Sequence, residues 1–481
     1  MKGLLLGDRI EIVRARFVLT EDNGIVGEKN APGQITIDSN GNVSSIETNG
    51  TENDREIDAV WALPGFVDIH CHGYGEGGED VLDFWTKPER TTRKMTEFGV
   101  TTVIATITVP SSPSLLSKTM RACRAIEKAC RLKEPDGAAV RGIHAEGPII
   151  ATNGGLPSSS AISNGYNLRR FEALLDDLGP CVRIMTISPS LEAGTKRTRP
   201  ILPERTKGDF CIACASVTDG DDAAKEEAIR QCTLVPPPPF ARLRALLRRG
   251  IVPALGHDKL ATLDEIVRCL RCAQDPDSTL SGPFHLTHAF NVMAFHHRNC
   301  GLANMALLRR LPTMPIFEGV ELPTVEVIAD GRHVHPLTLQ ALLDAREHAA
   351  APACIVSDAI AAPNAAVNTE IRYAGTRRAW VRDDPLTGTR SVVDERGILC
   401  GSCQALSLSF VELVRTHGLD VPQASKLVST NPARVARIDD RVGTLRRGKR
   451  ADIALLDAEL SVVATIVGGR VAYVRNGGES D

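Results

Sequence analysis

Short, almost wholly apolar runs recur through the middle of the chain. Eight can be read, at residues 66–70, 101–108, 140–146, 182–188, 251–257, 284–288, 324–330 and 353–358. Runs this short and this uniformly apolar suit strands covered on both faces, as in a parallel sheet. Helical periodicity falls between several of them, for example at 114–132 and 337–348. Strands alternating with helices predict a parallel sheet, and eight such strands predict a closed (β/α)₈ TIM-like barrel.

The two ends of the chain are patterned differently. Residues 1 to about 60 alternate apolar and polar positions in short runs separated by turns such as Ser39-Asn40-Gly41-Asn42, and the last forty or so do the same around Gly468-Gly469. Alternation with period two predicts antiparallel strands with one face covered, and Gly-Gly predicts a hairpin turn. The two ends are expected to pair into one small β-sandwich domain, with residues 1–62 and 440–481 bracketing a barrel at 63–439. Residues 189–241 do not fit a minimal barrel: they include a basic, aperiodic stretch and four consecutive prolines, Pro236 to Pro239. They predict an insertion on the barrel rim, either a surface loop or a substrate lid.

The residues that end the apolar runs carry the chemistry. The first run ends in His70 and continues to His72, and the third ends in Glu146; His257, His288 and Asp358 end the fifth, sixth and eighth. In an extended chain the side chains of His70 and His72 point the same way. Barrel active sites lie at the C-terminal ends of the strands, so these six residues are expected to converge. Imidazoles with a carboxylate suit one or two divalent ions, zinc before iron, rather than magnesium. Such an ion lowers the pKa of bound water toward ~7. Glu146 is a candidate ligand to both ions, with His257 and His288 completing one and His70 with His72 the other. Asp358 is the candidate proton acceptor, and then donor to the leaving group.

Charge and composition narrow the reading further. The chain has 481 residues and a net charge of -3, which offers no electrostatic case for nucleic acid. No apolar run approaches the ~20 residues that span a bilayer, and the first residues do not form a signal peptide. Thirteen cysteines is an odd number. Without a secretory pattern they predict reduced thiols and a cytoplasmic protein. Three Cys-x-x-Cys pairs occur, Cys211/Cys214, Cys269/Cys272 and Cys400/Cys403. Two such pairs could hold a structural zinc, but Cys269 and Cys272 fall in a helical pattern and are read as helix packing.

The motifs resemble those of the amidohydrolase superfamily and, within it, the N-acetylglucosamine-6-phosphate deacetylase family. They are Leu63-Pro64-Gly65-Phe66-Val67-Asp68-Ile69-His70-Cys71-His72-Gly73, His144-Ala145-Glu146-Gly147-Pro148, Gly256-His257, His288-Ala289-Phe290-Asn291-Val292-Met293, Ala329-Asp330-Gly331-Arg332-His333 and Ser357-Asp358-Ala359. The resemblance implies removal of acetate from the 2-acetamido group of a phosphorylated sugar. It also implies that Asn291 and the Val292 backbone lie beside the sugar, and that His333 and Arg298 bind the phosphate. It gives the sugar-contacting loop as Leu399, Cys400 and Gly401. It further implies a homodimer in which Arg298 reaches across the interface.

The chain departs from the family in two places. The family's segment after Glu-Gly-Pro carries a histidine near the scissile amide, whereas here it reads Asn153-Gly154-Gly155-Leu156-Pro157; His296 or His297 is a candidate replacement. The fourth run ends Ser188-Pro189-Ser190 where the family has Ala-Pro-Glu. Two other readings stay open: an amidohydrolase for a different N-acyl or cyclic amide, and a non-catalytic barrel scaffold. Arg298 and His333 weigh against the first, and the intact set of six residues against the second.

Overall fold

The computed structural model describes residues 6–21, 24–28, 31–48, 59–110, 113–157, 167–193, 238–280, 282–373, 377–384 and 388–475. Most of the expected insertion, with Cys211 and Cys214, lies outside these residues.

All eight expected barrel strands form. They are β1 (Phe66–Cys71), β2 (Val100–Thr108), β3 (Ala139–Glu146), β4 (Val182–Ile187), β5 (Val252–Leu255), β6 (His285–Leu286), β7 (Thr324–Ile328) and β8 (Ala353–Val356). They pair in parallel, in chain order, within one sheet. The sheet closes at its C-terminal end, where the Asp358 N–H donates to the His70 carbonyl (2.8 Å) and the Gly73 N–H to the Ala359 carbonyl (3.0 Å). Branched and small side chains, among them Ile104, Ile184, Val252, Ala254, Ile328 and Val356, pack with Ala433, Val435 and Ile438. Asn431 Nδ2 donates to the Ala353 carbonyl (2.7 Å), fixing that segment beneath the strands. Helices such as Pro113–Cys130, Leu168–Leu178, Ala241–Arg248 and Pro336–Arg346 follow individual strands. Leu263–Arg271 starts on a reciprocal Thr262/Glu265 cap, which satisfies donors that a helix start leaves open. Cys269 is buried on that helix and Cys272 just past its end, as packing residues.

The chain ends build the small β domain. The strand Trp61–Pro64 straddles the expected boundary and pairs antiparallel with Ile453–Leu456. These lie in a six-stranded sheet with Phe17–Leu19, Ile25–Val26, Val462–Val467 and Arg470–Val474. A second sheet joins Ile12–Ala15, Gly33–Ile37 and Val43–Thr48. Val13, Ile35, Ile37, Ala62, Ile453, Leu455 and Ile466 form one apolar layer shared by the two sheets, which makes the unit a sandwich. Gly468 and Gly469 turn the last hairpin with φ of 58° and 75°, the left-handed pair such a two-residue turn requires.

One element has no counterpart in the sequence expectations. After β8 the chain adds a four-stranded antiparallel sheet of Glu370–Tyr373, Arg377–Asp383, Arg390–Asp394 and Leu399–Ser402. It lies at the C-terminal end of the barrel, since the Ser402 N–H donates to the Asp358 carbonyl (2.9 Å) and the Ile360 N–H to the Ser402 carbonyl (2.9 Å). Among the described residues, no helix is long and apolar enough to cross a membrane.

Candidate metal centre and active site

Five strand-end residues gather around the carboxylate of a sixth, Glu146. His257 Nε2 lies 2.9 Å and His288 Nε2 3.3 Å from Glu146 Oε1. His72 Nε2 lies 3.3 Å from Glu146 Oε2, and His70 Nε2 3.7 Å from Oε1. Asp358 Oδ1 stands 3.5 Å from His70 Nε2 and 3.4 Å from His72 Nε2. Among the described residues three groups of ligand atoms are compact enough for an ion: His70/His72/Glu146 and Glu146/His257/His288, which share Glu146, and His70/His144/Glu326 behind them. His257, His288 and Asp358 sit two residues beyond their strands with φ of 49°, 22° and 47°. A strand continued straight would not turn these side chains inward; the left-handed residues do, at a cost in local strain.

The donors suit a divalent ion. His70 Nε2 and Glu146 Oε2 are buried with no hydrogen-bond partner, and two imidazole nitrogens, His257 Nε2 and His288 Nε2, face each other at 2.8 Å. Unpartnered buried polar atoms are costly, and a shared cation would satisfy them. The electrostatics point the same way. Burial opposes the charge on Glu146, but the neighbouring imidazoles of His257, His288 and His72 hold its carboxyl well below the usual range. Burial lowers His70 too, yet Glu326 and Asp358 outweigh it and push the imidazole up to about 10. The site therefore attracts positive charge.

A further set of residues holds the candidate ligands in place, and sequence spacing does not reveal it. Glu326, on β7 and fully buried, accepts from His70 Nδ1 (2.5 Å), Thr287 Oγ1 (2.7 Å), the His288 N–H (2.9 Å) and His285 Nε2 (3.0 Å). This bond leaves His70 Nε2 to face the cluster, the usual role of a carboxylate behind a ligand histidine. His257 Nδ1 donates to the Thr152 carbonyl (3.0 Å), with the same result. His144 is not available as a ligand: Nδ1 bonds the Ile69 carbonyl (3.0 Å) and Nε2 bonds Thr186 Oγ1 (2.9 Å). Burial, then the neighbouring His70, push it down to about 3, so it is neutral. Tyr373, from the added sheet, places its hydroxyl 3.1 Å from His72 Nε2. A tyrosine within an Arg- and Glu-rich strand carries no signal of this in the sequence.

The remaining expected residues fall into two groups. His333 is brought to the site's rim: its Nδ1 is 2.7 Å from Asp330 Oδ2, both side chains being buried. Burial lowers His333, but Asp330, helped by Asp358, raises it above the ordinary imidazole range. Leu399, Cys400 and Gly401 lie on the strand that bonds Asp358, with Gly401 against Ile360. Val292 is buried and left-handed (φ 54°), and Asn291 is half-buried beside it. The segment with Pro157 is wedged between them: a Cβ on Gly154 would meet Val292 Cγ2 at 2.2 Å, and one on Gly155 would meet the Leu399 carbonyl at 2.4 Å. Arg377 clamps it, donating to the Gly155 (2.7 Å) and Leu156 (3.2 Å) carbonyls while paired with Asp394 (2.6 Å). Arg298, by contrast, is exposed, and among the described residues only its backbone N–H is engaged, to His296 Nδ1 (3.2 Å). No contact among the described residues joins it to the cluster. His296 spends its Nδ1 on that loop, also accepting from the Asn299 N–H (3.0 Å), and His297 is exposed.

Comparison with known proteins agrees with this geometry. The family model described as the amidohydrolase family matches residues 262–472. The chain is 26% identical over 419 residues to the N-acetylglucosamine-6-phosphate deacetylase of Homo sapiens, covering 85% of this chain and 83% of the relative. It is 23% identical over 471 residues to that of Bacillus subtilis, covering 96% and 98%. A relative from Escherichia coli O157:H7, 25% identical over 96% of this chain and 99% of its own, is an N-acetylgalactosamine-6-phosphate deacetylase. Among solved structures, the N-acetylglucosamine-6-phosphate deacetylase of Pasteurella multocida superposes with a TM-score of 0.68 at 18% identity, over 96% of this chain and all of that one. The Mycobacterium smegmatis enzyme, solved with N-acetyl-D-glucosamine 6-phosphate, gives 0.68 at 22% identity over 97% and 100%. At these identities the structures speak for the fold. In its motifs, its barrel and its metal-competent strand ends, the chain is similar to the amidohydrolase family, whose model matches its residues 262–472.

Proposed function

We propose that the protein is a metal-dependent hydrolase that removes acetate from N-acetyl-D-glucosamine 6-phosphate, leaving glucosamine 6-phosphate. The observation that carries this is the Glu146-centred cluster with Asp358 held 3.4 Å from His72 Nε2. The names of the relatives supply the substrate class.

His70, His72 and Glu146 would hold one ion and Glu146, His257 and His288 a second, zinc before iron by donor softness. A bound ion supplies Lewis acidity, polarising the amide carbonyl and acidifying water. Asp358 accepts the proton of the attacking water at its carboxylate; as the C–N bond breaks, it hands that proton to the sugar nitrogen and acetate departs. His72 and His70 keep Asp358 below the usual carboxylate range against the effect of burial, so it begins as an acceptor. Asn291 and the Val292 backbone face the sugar, with Leu399, Cys400 and Gly401 on the opposite side. His333, its Nδ1 engaged by Asp330, presents Nε2–H to the phosphate. Exposed Arg298 fits a phosphate contact made across a homodimer interface, since a guanidinium fork matches phosphate. The ten cysteines among the described residues are unpaired, in keeping with a cytoplasmic protein.

Acetate release by the zinc-loaded protein tests the reading, with N-acetylglucosamine 6-phosphate, its galacto epimer and the unphosphorylated sugar side by side. Activity that needs the phosphate and falls at least about a thousandfold in Asp358→Asn is expected. No turnover of either phosphorylated sugar by metal-loaded protein refutes it.

A further inference from the structure

One buried hydroxyl faces the reacting region without a role in the scheme above. Tyr373 ends the strand Glu370–Tyr373, where Arg372 is exposed and Ile371 and Tyr373 are buried. This strand is fastened to the loop that follows His72: the Gly78 N–H donates to the Glu370 carbonyl (2.9 Å) and the Arg372 N–H to the Glu79 carbonyl (3.0 Å). The fastening sets the phenol ring edge-on to His72, with centroids 5.6 Å apart. Its hydroxyl lies 3.1 Å from His72 Nε2 and 3.2 Å from Thr108 Oγ1.

A phenol has one proton to give, and at neutral pH it keeps it. A His72 that ligates through Nε2 has committed the lone pair that could accept this proton. Thr108 can then donate to the phenol oxygen, which leaves the Tyr373 proton directed at the space bounded by His72, Glu146 and Asp358. Glu146 Oε2 and Asp358 Oδ1 lie 3.3 and 3.4 Å from the same His72 nitrogen. In amide hydrolysis the carbonyl oxygen becomes an oxyanion and calls for a fixed donor. The imidazoles of the cluster serve as ligands, Asp358 begins as an acceptor, and the 153–157 segment turns its Asn153 Nδ2 to the Pro157 carbonyl (3.1 Å).

We propose that Tyr373 is a catalytic residue that donates a hydrogen bond to the amide carbonyl oxygen as negative charge develops there, on the His70/His72 side of the site. The inference rests on the deacetylase reading. Tyr373→Phe removes the hydroxyl and keeps the ring against His72. It is expected to lower kcat about 100- to 1000-fold, the size measured for loss of one oxyanion donor, with KM changed by less than about threefold. Bound metal, measured by elemental analysis, should match the wild type. Affinity for a tetrahedral phosphonamidate mimic of the acetamide should fall by a similar factor, while glucosamine 6-phosphate binds as before.

Unchanged kcat with wild-type affinity for the mimic overturns the proposal. A kcat loss that accompanies lost metal, or an equal loss of affinity for the product, also overturns it, because each makes Tyr373 a structural residue. Wild-type protein assayed in parallel separates the two failures. An inactive wild type overturns the substrate reading and this inference with it; an active wild type with an equally active variant overturns the role of the phenol alone.

Discussion

Glu326 offers the sharpest test of how the metal centre is held. Its carboxylate gathers four donors, from His70 Nδ1, Thr287 Oγ1, the His288 N–H and His285 Nε2, with no exposure to solvent. Glu326→Gln is isosteric and removes only the charge and one acceptor. Hydrogen bonds to a charged group contribute about 1.5–3 kcal/mol against about 0.5–1.5 for neutral ones, so the three donors on Oε1 lose roughly 1 kcal/mol each. The fourth, from His285, meets an amide NH₂ and must change tautomer. The metal-free variant should therefore be less stable by roughly 3–4 kcal/mol. Weakening the partner behind a ligand histidine costs about 10- to 100-fold in metal affinity, equivalent to about 1.4–2.7 kcal/mol. Competition against a chromophoric chelator should show the larger loss for the ion that His70, His72 and Glu146 would hold, because Glu326 touches the side chain of His70 but only the backbone of His288. A folded variant that keeps wild-type affinity at both sites would refute the argument that this carboxylate orients His70.

Two further outcomes follow from the added sheet. Asp394 is held down to about 2: burial raises it, but hydrogen bonds from Arg377 and the Ile398 N–H prevail. Against about 3.9 unfolded, this lowered value contributes about 2–3 kcal/mol above pH ~4, lost as pH falls through about 2. Asp394→Asn should thus be less stable than wild type by about 1–3 kcal/mol at pH 7, with the gap closing toward pH 2, as read by urea unfolding at several pH values. Gly155→Ala would drive a Cβ to 2.4 Å from the Leu399 carbonyl and 3.1 Å from Cys400 Cα, backbone atoms that cannot yield cheaply. An overpacking penalty of about 1–3 kcal/mol should appear mainly as a KM raised about tenfold for the phosphorylated sugar, with metal content unchanged.

The sequence pattern was a good guide wherever a neighbour in the chain decides the outcome. The eight apolar runs became eight strands because each is covered on both sides and needs no particular partner to be recognised as buried. The His70/His72 pair was legible because two residues along an extended chain share a side. Glu326 and His285 were not, although they support the same centre: Glu326 sits on β7 between the buried Val325 and Val327, and His285 on β6 beside Leu286, and nothing in their spacing tells support of a candidate ligand from an isolated buried side chain. The sheet from Glu370 to Ser402 escaped notice because its charged positions, such as Arg372, Arg378 and Glu370, break up the apolar runs. The charge belongs to an exposed face, as the alternating burial of Arg377–Asp383 shows.

By itself the sequence determined which chemistry the chain can carry: imidazoles and carboxylates at the ends of apolar runs, enough for a barrel with a metal-competent rim, and chain ends patterned for one small β domain. Which atoms face one another depends on how the barrel closes. It made Glu146 the carboxylate shared by two ligand groups and turned His257, His288 and Asp358 inward through left-handed backbone. It set Glu326 behind His70, and carried Tyr373 across 301 positions of chain to His72. The physical reason is range. Periodicity records whether a residue meets water or core, a property of its own segment. A ligand's tautomer, a carboxylate's charge and a phenol's acceptor are set by groups far away in the chain, which only the closed barrel brings within hydrogen-bonding distance.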